Sequence, residues 1–422
     1  MSGGTIVALS SGALPAAIAI VRASGPDAFA GAAMLGASPE AARARYARLR
    51  DPADDSLLDE ALVLGFRAPH SATGEDIVEY QVHGSRAVVD RLLDLLTARA
   101  GTRLAAPGEF TRRALANGKM DLIAAEALGD LLHAETELQR KVALRQYRTG
   151  LGQGFAALEA RLIDLSAQAE AAIDYVGDEE ETGRIAHLEA AITALRGDVE
   201  ALLALPERRP LQDGIRLVLA GPVNAGKSSL FNTLAGYDRA IVSGEAGTTR
   251  DTIELPLRID GIAYLLVDTA GWRSGAGTVE AEGIARARSA VDEADILLWL
   301  GAPDAAPPHP HCLAIAAKAD LALEVPAGAI AVSAHTGVGI PALFEAIAEH
   351  ARALLPSPDE ATLNRRQRAQ VRAMADALEG GEDPVLLAEQ LRAARLALAE
   401  LRGDARLDDV LDRIFGKFCL GK

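Results

Sequence analysis

The sequence has few cysteines, few aromatic residues and no long apolar run. Its 422 residues include two cysteines, Cys312 and Cys419, too few for a disulfide framework or a zinc site. Aromatic residues make up 4% of the chain, which disfavours a base-stacking platform as the main binding surface. No apolar run reaches the roughly 18 residues that a membrane-spanning helix needs. We therefore expect a protein of the reducing cytoplasm, with no part in a membrane.

An excess of positive charge is also absent. The 43 lysines and arginines are outnumbered by 59 aspartates and glutamates, which gives a net charge of −16. A surface that binds polyanions generally is thereby excluded, and any contact with nucleic acid must use a local basic patch or a partner. Hydrophobic residues make up 49% of the chain, and the length predicts about three domains of roughly 150 residues each.

The residue types change along the chain in a way that predicts three kinds of domain. Residues 1–117 mix short β-like runs with one strong helix, which is typical of an α+β domain. Residues 118–210 and 357–422 have the apolar spacing of long helices. Residues 211–356 alternate short apolar runs with helix-length segments, which indicates a parallel sheet with crossover helices. We therefore expect an α/β domain inserted into one discontinuous helical domain. The clearest predicted elements are the strands Thr5–Leu9, Ala17–Val21, Glu60–Phe66, Asp76–His83 and Ile215–Ala220, and the helix Ser85–Arg99.

The most specific motif is GPVNAGKS, from Gly221 to Ser228, which fits the phosphate-binding pattern G-x-x-x-x-G-K-[ST]. It follows the apolar run IRLVLA and precedes a helix-forming segment, the order that a P-loop requires. Backbone N–H groups of such a loop bind phosphates, and the helix N-terminus favours negative charge. Lys227 is expected to reach the β- and γ-phosphates as a catalytic residue, and the Ser228 hydroxyl to bind Mg²⁺.

Two further segments have the spacing of GTPase switches. Gly247–Asp251 (GTTRD) lies about 20 residues after the loop, where a threonine can approach Mg²⁺ and the γ-phosphate. Asp268–Gly271 (DTAG) follows the apolar run AYLLV. There Asp268 can hold a metal-bound water, and the Gly271 N–H can sense the γ-phosphate.

The last two segments predict guanine recognition. Lys318–Asp320 is similar to the pattern N-K-x-D, in which the aspartate accepts hydrogen bonds from guanine N1–H and the exocyclic amine. Ser333–His335 matches the loop whose backbone contacts the guanine oxygen. Ala317 replaces the asparagine of the pattern, so we expect weaker nucleotide binding with the guanine preference retained through Asp320. The predicted GTP site comprises Asn224, Ala225, Gly226, Lys227, Ser228, Ser229, Ser243, Gly244, Glu245, Ala246, Gly247, Thr248, Thr249, Asp268, Thr269, Ala270, Gly271, Lys318, Asp320, Ser333, Ala334 and His335.

These motifs resemble those of the Era-like bacterial GTPases, and three features narrow the resemblance. The first is the inserted position of the G domain. The second is the pair of N-terminal runs GEDIVEYQVHGS and PGEFTRRALANGKMDLIAAEALGDLLHAET, which look like a folate-domain and hinge signature. The third is the C-terminal FCLGK, similar to a family terminus F-C-[IV]-G-K. The chain thus resembles the MnmE (TrmE) family of tRNA modification GTPases over essentially its whole length.

The resemblance implies a homodimeric, Ras-like GTPase that potassium activates without an arginine finger. The matching K⁺ ligands are Asn224, Ser243, Glu245 and Thr248, and the matching Mg²⁺ ligands are Ser228 and Thr249. Glu280 matches the catalytic glutamate that orients the attacking water, with Glu282 as a near neighbour. A potassium ion there could neutralise charge that develops between the β- and γ-phosphates.

The resemblance also implies a folate site in the N-terminal domain. Arg22, Glu79, Lys119 and Lys422 match the positions that bind 5-formyltetrahydrofolate, a one-carbon donor. Cations suit the carboxylates of the glutamate tail, and a carboxylate suits the N–H edge of the pterin. Cys419 is either a catalytic thiol or a buried apolar cysteine. The family's Gly-Arg-Gly turn is replaced here by Gly12–Pro15 (GALP), which changes the loop near this pocket.

The function that the resemblance implies is modification of tRNA wobble uridine at C5, adding an aminomethyl-type group. An FAD-dependent partner, MnmG (GidA), would supply the flavin, because no G-x-G-x-x-G fingerprint follows a strand in this chain. Two alternatives remain open. One is a ribosome-assembly switch of the Era type, which usually carries a basic RNA-binding module. The other is a folate-dependent one-carbon transferase that the GTPase regulates. With a net charge of −16, we expect the chain alone to bind tRNA weakly.

Overall fold

Two compact units make up the chain in the computed structural model. Met1–Gly129 and Ala399–Lys422 form the first unit, and Asp130–Leu398 form the second. The structure describes residues 4–149, 151–174, 181–236, 241–242, 254–269, 288–321, 324–381, 383–403 and 421. Among these residues, no helix is long and apolar enough to cross a bilayer. The boundaries of the four predicted segments stay predictions.

The first unit contains a six-stranded sheet with helices on both faces. Two helices pack on the face of Val7, and Phe110 of a third packs with Ile6 and Ala8 on the other. Its strands follow the order β3-β4-β5-β2-β1-β6; β6 is parallel to β1, and the other neighbours pair antiparallel. Alternate residues such as Val21, Val63 and Tyr80 face the core, where they pack with Leu92 and Leu96 of a helix. This period of two is what a half-buried sheet requires, and the predicted α+β architecture is confirmed. The strands are β1 (Thr5–Leu9), β2 (Ala16–Ser24), β3 (Ala44–Arg50), β4 (Leu57–Phe66), β5 (Ile77–Gly84) and β6 (Thr102–Leu104), and the helices are α1 (Ala28–Met34), α2 (Arg86–Thr97), α3 (Glu109–Ala116) and α4 (Leu122–Leu132), the last of which runs on into the second unit.

The second unit contains a seven-stranded sheet in the order β13-β12-β11-β7-β10-β9-β8. The first five of these strands are parallel, and β9 and β8 are antiparallel additions at one edge. Leu217 and Leu219 pack on one face of β7 and Val218 on the other, because crossover elements cover both faces. The predicted α/β architecture is confirmed. The elements are β7 (Ile215–Ala220), β8 (Ile241–Val242), β9 (Glu254–Ile259), β10 (Ile262–Asp268), β11 (Ile296–Trp299), β12 (Cys312–Ala317) and β13 (Ile330–Val332), with α9 (Lys227–Ala235) and α10 (Ile340–Leu354).

Helices lie before and after this sheet in the chain. They are α5 (Glu137–Thr149), α6 (Gly152–Asp174), α7 (Glu181–Leu203), α8 (Arg209–Gln212), α11 (Arg365–Ala377) and α12 (Pro384–Arg402). α7 packs against both α6 and α11, so helices from the two sides of the sheet are in contact. α11 begins with a capping box, in which Asn364 and Gln367 exchange side-chain to backbone hydrogen bonds.

Arg208 is the buried polar centre of these helices, with 2% of its surface exposed. It donates from NH1 to Asp130 Oδ2 (2.8 Å) and from Nε to Thr362 Oγ1 (3.1 Å). The backbone is joined at the same place, since the Arg208 N–H donates to the Leu363 carbonyl (3.0 Å) and the Leu363 N–H to the Pro206 carbonyl (3.3 Å). The chain therefore enters and leaves the sheet region at one point.

Replacing Arg208 by alanine should strongly destabilise the helical part of the second unit. The change leaves the Asp130 carboxylate and the Thr362 hydroxyl without this cation, and breaking a buried pair costs about 3–5 kcal/mol. A lower urea midpoint for the loss of helical circular dichroism would measure it. Arg161→Ala is the control, because its pair with Asp198 is exposed and is worth about 1 kcal/mol or less. Equal midpoint shifts in the two variants would contradict this role of Arg208.

Candidate functional site

The phosphate-binding loop lies where β7 ends and α9 begins. A side chain at Gly221, whose φ is +145°, would place its Cβ only 2.5 Å from the Leu300 carbonyl oxygen. Asn224 (φ +64°) and Gly226 (φ +99°) are also left-handed, and Gly226 caps α9. These conformations wrap the loop around the helix N-terminus, so its N–H groups and the helix dipole favour a phosphate there.

Three polar or charged side chains lie at the phosphate-binding loop: those of Lys227, Ser228 and Asp268. The Lys227 ammonium donates to the carbonyls of Gly221 (2.9 Å) and Pro222 (2.7 Å), so it already spans the loop. The Ser228 hydroxyl donates to Asp268 Oδ2 at 3.2 Å, which brings together the predicted metal ligand and the carboxylate for a metal-bound water. Asp268 is buried at the end of β10. A hydroxyl beside a carboxylate suits Mg²⁺, which takes oxygen ligands and completes its shell with phosphates and water.

The predicted base-recognition residues lie at the same edge of the sheet. The Lys318 ammonium donates to the Asn224 carbonyl at 3.0 Å. This bond joins the loop of Lys318 and Asp320 to the phosphate-binding loop. A hydrogen bond from the Ser333 hydroxyl holds the pKa of the Asp320 carboxyl below its ordinary value. Ser333 is fully buried, and its hydroxyl accepts from the Thr336 N–H at 3.1 Å. The carboxylate therefore stays ionised to a lower pH, and the ionised form can accept two hydrogen bonds.

Ala317 ends β12 beside the phosphate loop. A Cβ on Gly226 would lie 3.6 Å from the Ala317 Cβ, so a longer side chain at position 317 would reach the loop. An open groove runs from Ala225 along Leu300 and Ala317 to Val325. Ala317 has no side-chain group to bond to the phosphate-binding loop. Among the described residues, the hydrogen bond from Lys318 to Asn224 still joins the two loops.

Sequence reasoning missed one support of this site. The Thr233 hydroxyl on α9 donates to the Ala334 carbonyl at 3.1 Å and holds the loop of Ser333 to His335 against the helix. The sequence contains no signal for this bond, because Thr233 is an ordinary helical threonine and its partner is about a hundred residues away in the chain. Ala225, Gly226 and Ser229 lie in the phosphate loop and α9, as predicted, and Thr269 follows β10, its hydroxyl bonded to the Leu219 carbonyl at 2.7 Å.

Several predicted site residues lie outside the described residues. They are Glu280 and Cys419, the switch residues Ser243, Gly244, Glu245, Ala246, Gly247, Thr248, Thr249, Ala270 and Gly271, and the terminal Lys422. Of the predicted K⁺ ligands the structure therefore describes Asn224, and of the predicted Mg²⁺ ligands Ser228.

Two of the predicted folate residues are in contact on the six-stranded sheet. Arg22 and Glu79 are direct cross-strand neighbours on β2 and β5. Arg22 donates from Nε to Glu79 Oε1 at 2.9 Å, and its guanidinium lies 5.6 Å from the centre of the Phe110 ring. Both charged side chains are about one-fifth exposed, so a ligand can reach them. Arg22 and Glu79 are already partners of each other. An anionic ligand group would share Arg22 with Glu79, and a hydrogen-bond donor of the ligand would share Glu79 with Arg22.

The other two predicted folate residues are placed separately. Lys119 packs on the turn at Gly74, where a Cβ would lie 3.2 Å from Lys119 Cε. Lys422 is outside the described residues, but the preceding Gly421 accepts a hydrogen bond from the Ser10 hydroxyl at 2.9 Å. Gly421 thus lies against the end of β1, in the sheet that carries Arg22. Of the predicted folate residues, Arg22 and Glu79 are therefore in contact with each other, and Lys119 contacts the turn at Gly74.

Comparisons with known proteins match two parts of the chain to models of one family. The model of the GTP-binding protein TrmE N-terminus matches residues 5–119, and that of the MnmE helical domain matches residues 122–419. The solved G domain of the T. maritima FeoB iron transporter covers 32% of this chain and 98% of its own at 24% identity, but its TM-score of 0.24 is too low to support an inference.

Curated relatives match along almost the whole chain, and each is named tRNA modification GTPase MnmE. That of Novosphingobium aromaticivorans is 44% identical and covers 99% of both chains. That of Sphingopyxis alaskensis is 46% identical over 95% of this chain and 100% of its own. That of Zymomonas mobilis is 44% identical over 99% of this chain and 100% of its own. Two family models and these relatives agree, and the chain belongs to the MnmE (TrmE) family of tRNA modification GTPases.

Proposed function

We propose that this chain hydrolyses GTP in the modification of tRNA wobble uridine at C5, with an FAD-dependent partner of the MnmG (GidA) type and 5-formyltetrahydrofolate as one-carbon donor. The observation that carries the proposal is the convergence of Lys227, Ser228, Asp268 and Asp320 at one sheet edge, in a chain of this family. Family membership favours this function over the ribosome-assembly alternative.

The described residues divide the work at the nucleotide. Backbone N–H groups of the loop hold the phosphates, and Lys227 moves from its carbonyl partners to the β- and γ-phosphate oxygens. Ser228 and Asp268 would hold Mg²⁺, directly and through water, and bound Mg²⁺ neutralises charge on the phosphate oxygens. Asp320 selects guanine, because its ionised carboxylate accepts from two donors that adenine does not present together.

Outside the described residues, we assign three roles from the family match. Glu280 orients the attacking water, and Ser243, Glu245 and Thr248 bind potassium together with Asn224. Thr249 binds Mg²⁺. In this proposal the protein acts as a homodimer.

Reconstitution tests the whole function. The chain, the flavoprotein partner, GTP, Mg²⁺, KCl, 5-formyltetrahydrofolate and an amine donor (ammonium or glycine) should together convert the wobble uridine of a tRNA transcript, as read by nucleoside mass spectrometry. Lys227→Ala should abolish conversion, because the phosphates lose their cation. Conversion without the flavoprotein would favour the one-carbon transferase alternative, and no conversion with every component present would overturn the proposal.

Removing the Arg22 guanidinium should weaken folate binding. Charge-assisted hydrogen bonds are worth about 1.5–3 kcal/mol, so Arg22→Ala should raise the Kd for 5-formyltetrahydrofolate roughly 10- to 100-fold. Isothermal titration calorimetry measures the change. Arg48→Ala is the matched control, since Arg48 forms an exposed cross-strand pair with Glu60 on the same sheet. The same loss in both variants would show that Arg22 has no specific part in the site.

A further inference from the structure

One face of α5 is unusually basic. Between Arg140 and Arg148 the helix buries Val142, Ala143 and Gln146. Its exposed residues in that stretch are Arg140, Lys141, Arg145, Tyr147 and Arg148. The nearest carboxylate on the helix, Glu137, pairs with Arg140 (2.8 Å) and Lys141 (3.8 Å). It lies more than two turns before Arg145 and about three before Arg148. In a chain of net charge −16, a helical stretch of nine residues with four exposed cations and no carboxylate departs from the average.

The start of α11 is basic as well. Arg365 is exposed at its first position, Arg366 and Arg368 follow, and Arg372 is exposed two turns on. The first turn contains no acidic residue. Cations near a helix C-terminus, such as Arg148 on α5, stabilise the helix dipole, whereas cations at an N-terminus destabilise it by about 0.3–1 kcal/mol each. Helix stability therefore does not account for the arginines of α11.

These two helices are joined where their cations lie. The Gln146 amide donates to both the carbonyl and the hydroxyl oxygen of Thr362 at 3.2 Å. Thr362 is three residues before Arg365, so the Cα atoms of the two are at most about 11 Å apart. Arg145 lies 3.9 Å from the fully exposed carboxylate of Asp359, a weak pair in water. The basic surface consists of Arg145, Tyr147, Arg148, Arg365 and Arg372.

We propose that the basic surface binds the phosphate backbone of tRNA, an inference that rests on the proposed function. Among the described residues, Arg148, Arg365 and Arg372 have no carboxylate partner, so they can contact phosphates without breaking a pair. Each such contact releases counter-ions from the RNA. The Tyr147 ring, 40% exposed and next to Arg148 in the chain, offers a stacking face for an unpaired base. The acidic remainder of the chain repels RNA and confines binding to this surface.

The salt dependence of tRNA binding tests the proposal. Fluorescence anisotropy would give the Kd of a labelled tRNA transcript for the full chain over a series of NaCl concentrations. The double variant Arg148→Gln, Arg365→Gln should bind about tenfold more weakly at low salt. The slope of log affinity against log salt should fall by about 1 for each lost contact. Tyr147→Ala should lower the affinity and leave the slope unchanged.

The control removes the same charge elsewhere in the second unit. Arg161 pairs with Asp198, and Arg392 pairs with Glu389, both on exposed helix surfaces. The double variant Arg161→Gln, Arg392→Gln should keep the wild-type slope, because these arginines lie outside the basic surface. GTP hydrolysis without RNA, together with thermal unfolding, should match wild type in both double variants and so show that each is folded.

Three results would overturn the proposal. The first is a wild-type slope and affinity for tRNA in Arg148→Gln, Arg365→Gln, and the second is no tRNA binding by the wild-type chain at low salt. The third is an equal loss of affinity for polyglutamate and for tRNA, which would assign the surface to an acidic protein partner. In the first and third cases the proposed function would still stand, provided that the wild-type chain hydrolyses GTP and supports uridine conversion. If the wild-type chain does neither, the proposed function itself is contradicted.

Discussion

Asparagine in place of Asp320 should change the base preference of the nucleotide site from guanine to xanthine. Guanine presents two donors to the carboxylate, whereas xanthine has an oxygen where guanine has its amine. The asparagine amide donates to that oxygen and accepts from N1–H. Because Ala317 provides no side-chain hydrogen bond, discrimination at this end of the groove depends on Asp320. Losing two such bonds to a charged group should cost roughly 10²- to 10⁴-fold in kcat/KM for GTP.

The measurement is kcat/KM for GTP and for XTP in the wild type and in Asp320→Asn. Asp304→Asn is the matched control, since Asp304 is an exposed aspartate in a nearby turn of the same sheet region. It should leave both values unchanged. Undiminished use of GTP by Asp320→Asn would remove Asp320 from the site.

Ser333 gives this prediction a dependence on pH. Its hydroxyl lowers the pKa of Asp320, so the ionised carboxylate persists as the pH falls below the ordinary carboxyl range. Guanine recognition is then present above the pKa of the folded site and is lost as the pH falls through it. Ser333→Ala should raise that pKa, and guanine affinity should begin to fall at a higher pH than in the wild type. Asp320→Asn has no carboxylate at this position and should lack this pH dependence.

Potassium should stimulate GTP hydrolysis strongly, and Glu280→Ala should abolish the stimulated rate. A cation beside the phosphates offsets the charge that develops as the γ-phosphate leaves, and a positioned carboxylate orients the attacking water. Each contribution is worth about 10²- to 10³-fold. The measurement is the rate of phosphate release in KCl and in NaCl at equal ionic strength. Equal slow rates in both salts would return the ribosome-assembly switch to first place.

Two further variants make the potassium experiment specific. Asn224→Gly removes the proposed ligand without backbone strain, because glycine adopts the φ of +64° that this position has. It should abolish the difference between KCl and NaCl and leave GTP binding in place. Glu282→Ala changes a carboxylate two residues from Glu280 and should keep the potassium-stimulated rate. If Glu282→Ala is inactive and Glu280→Ala is active, the two glutamates have been assigned the wrong way round.

Local sequence was enough to predict the elements whose residues are in one stretch of chain. The strands Thr5–Leu9 and Ile215–Ala220 were predicted with the bounds that the structure has, because each is an apolar run with a glycine close by. The helix predicted over Ser85–Arg99 spans Arg86–Thr97. The phosphate loop was predictable for a stronger reason: its backbone needs left-handed positions that Gly221 and Gly226 supply.

The remainder depended on partners that are far apart in the chain. β3 was not predicted, because Ala44–Arg50 is rich in arginine, and an edge strand of the sheet can be as polar as a loop. The buried role of Arg208 was not predicted either. Its partners Asp130 and Thr362 lie far away along the chain, and most arginines in proteins are exposed. The hydrogen bond between Ser333 and Asp320 was not predicted either, because the two residues follow different strands.

The backbone pairing of Arg208 with Leu363 has a consequence for how the protein tolerates changes of length. It closes one long loop of chain that contains every strand of the seven-stranded sheet. The entropy of closing a loop grows only with the logarithm of its length, about 0.6 kcal/mol for each doubling. Insertions or deletions within the loop therefore hardly alter the free energy of bringing α7 and α11 together. The helices on either side can therefore keep the same contacts when the connections between strands of the nucleotide-binding region lengthen or shorten.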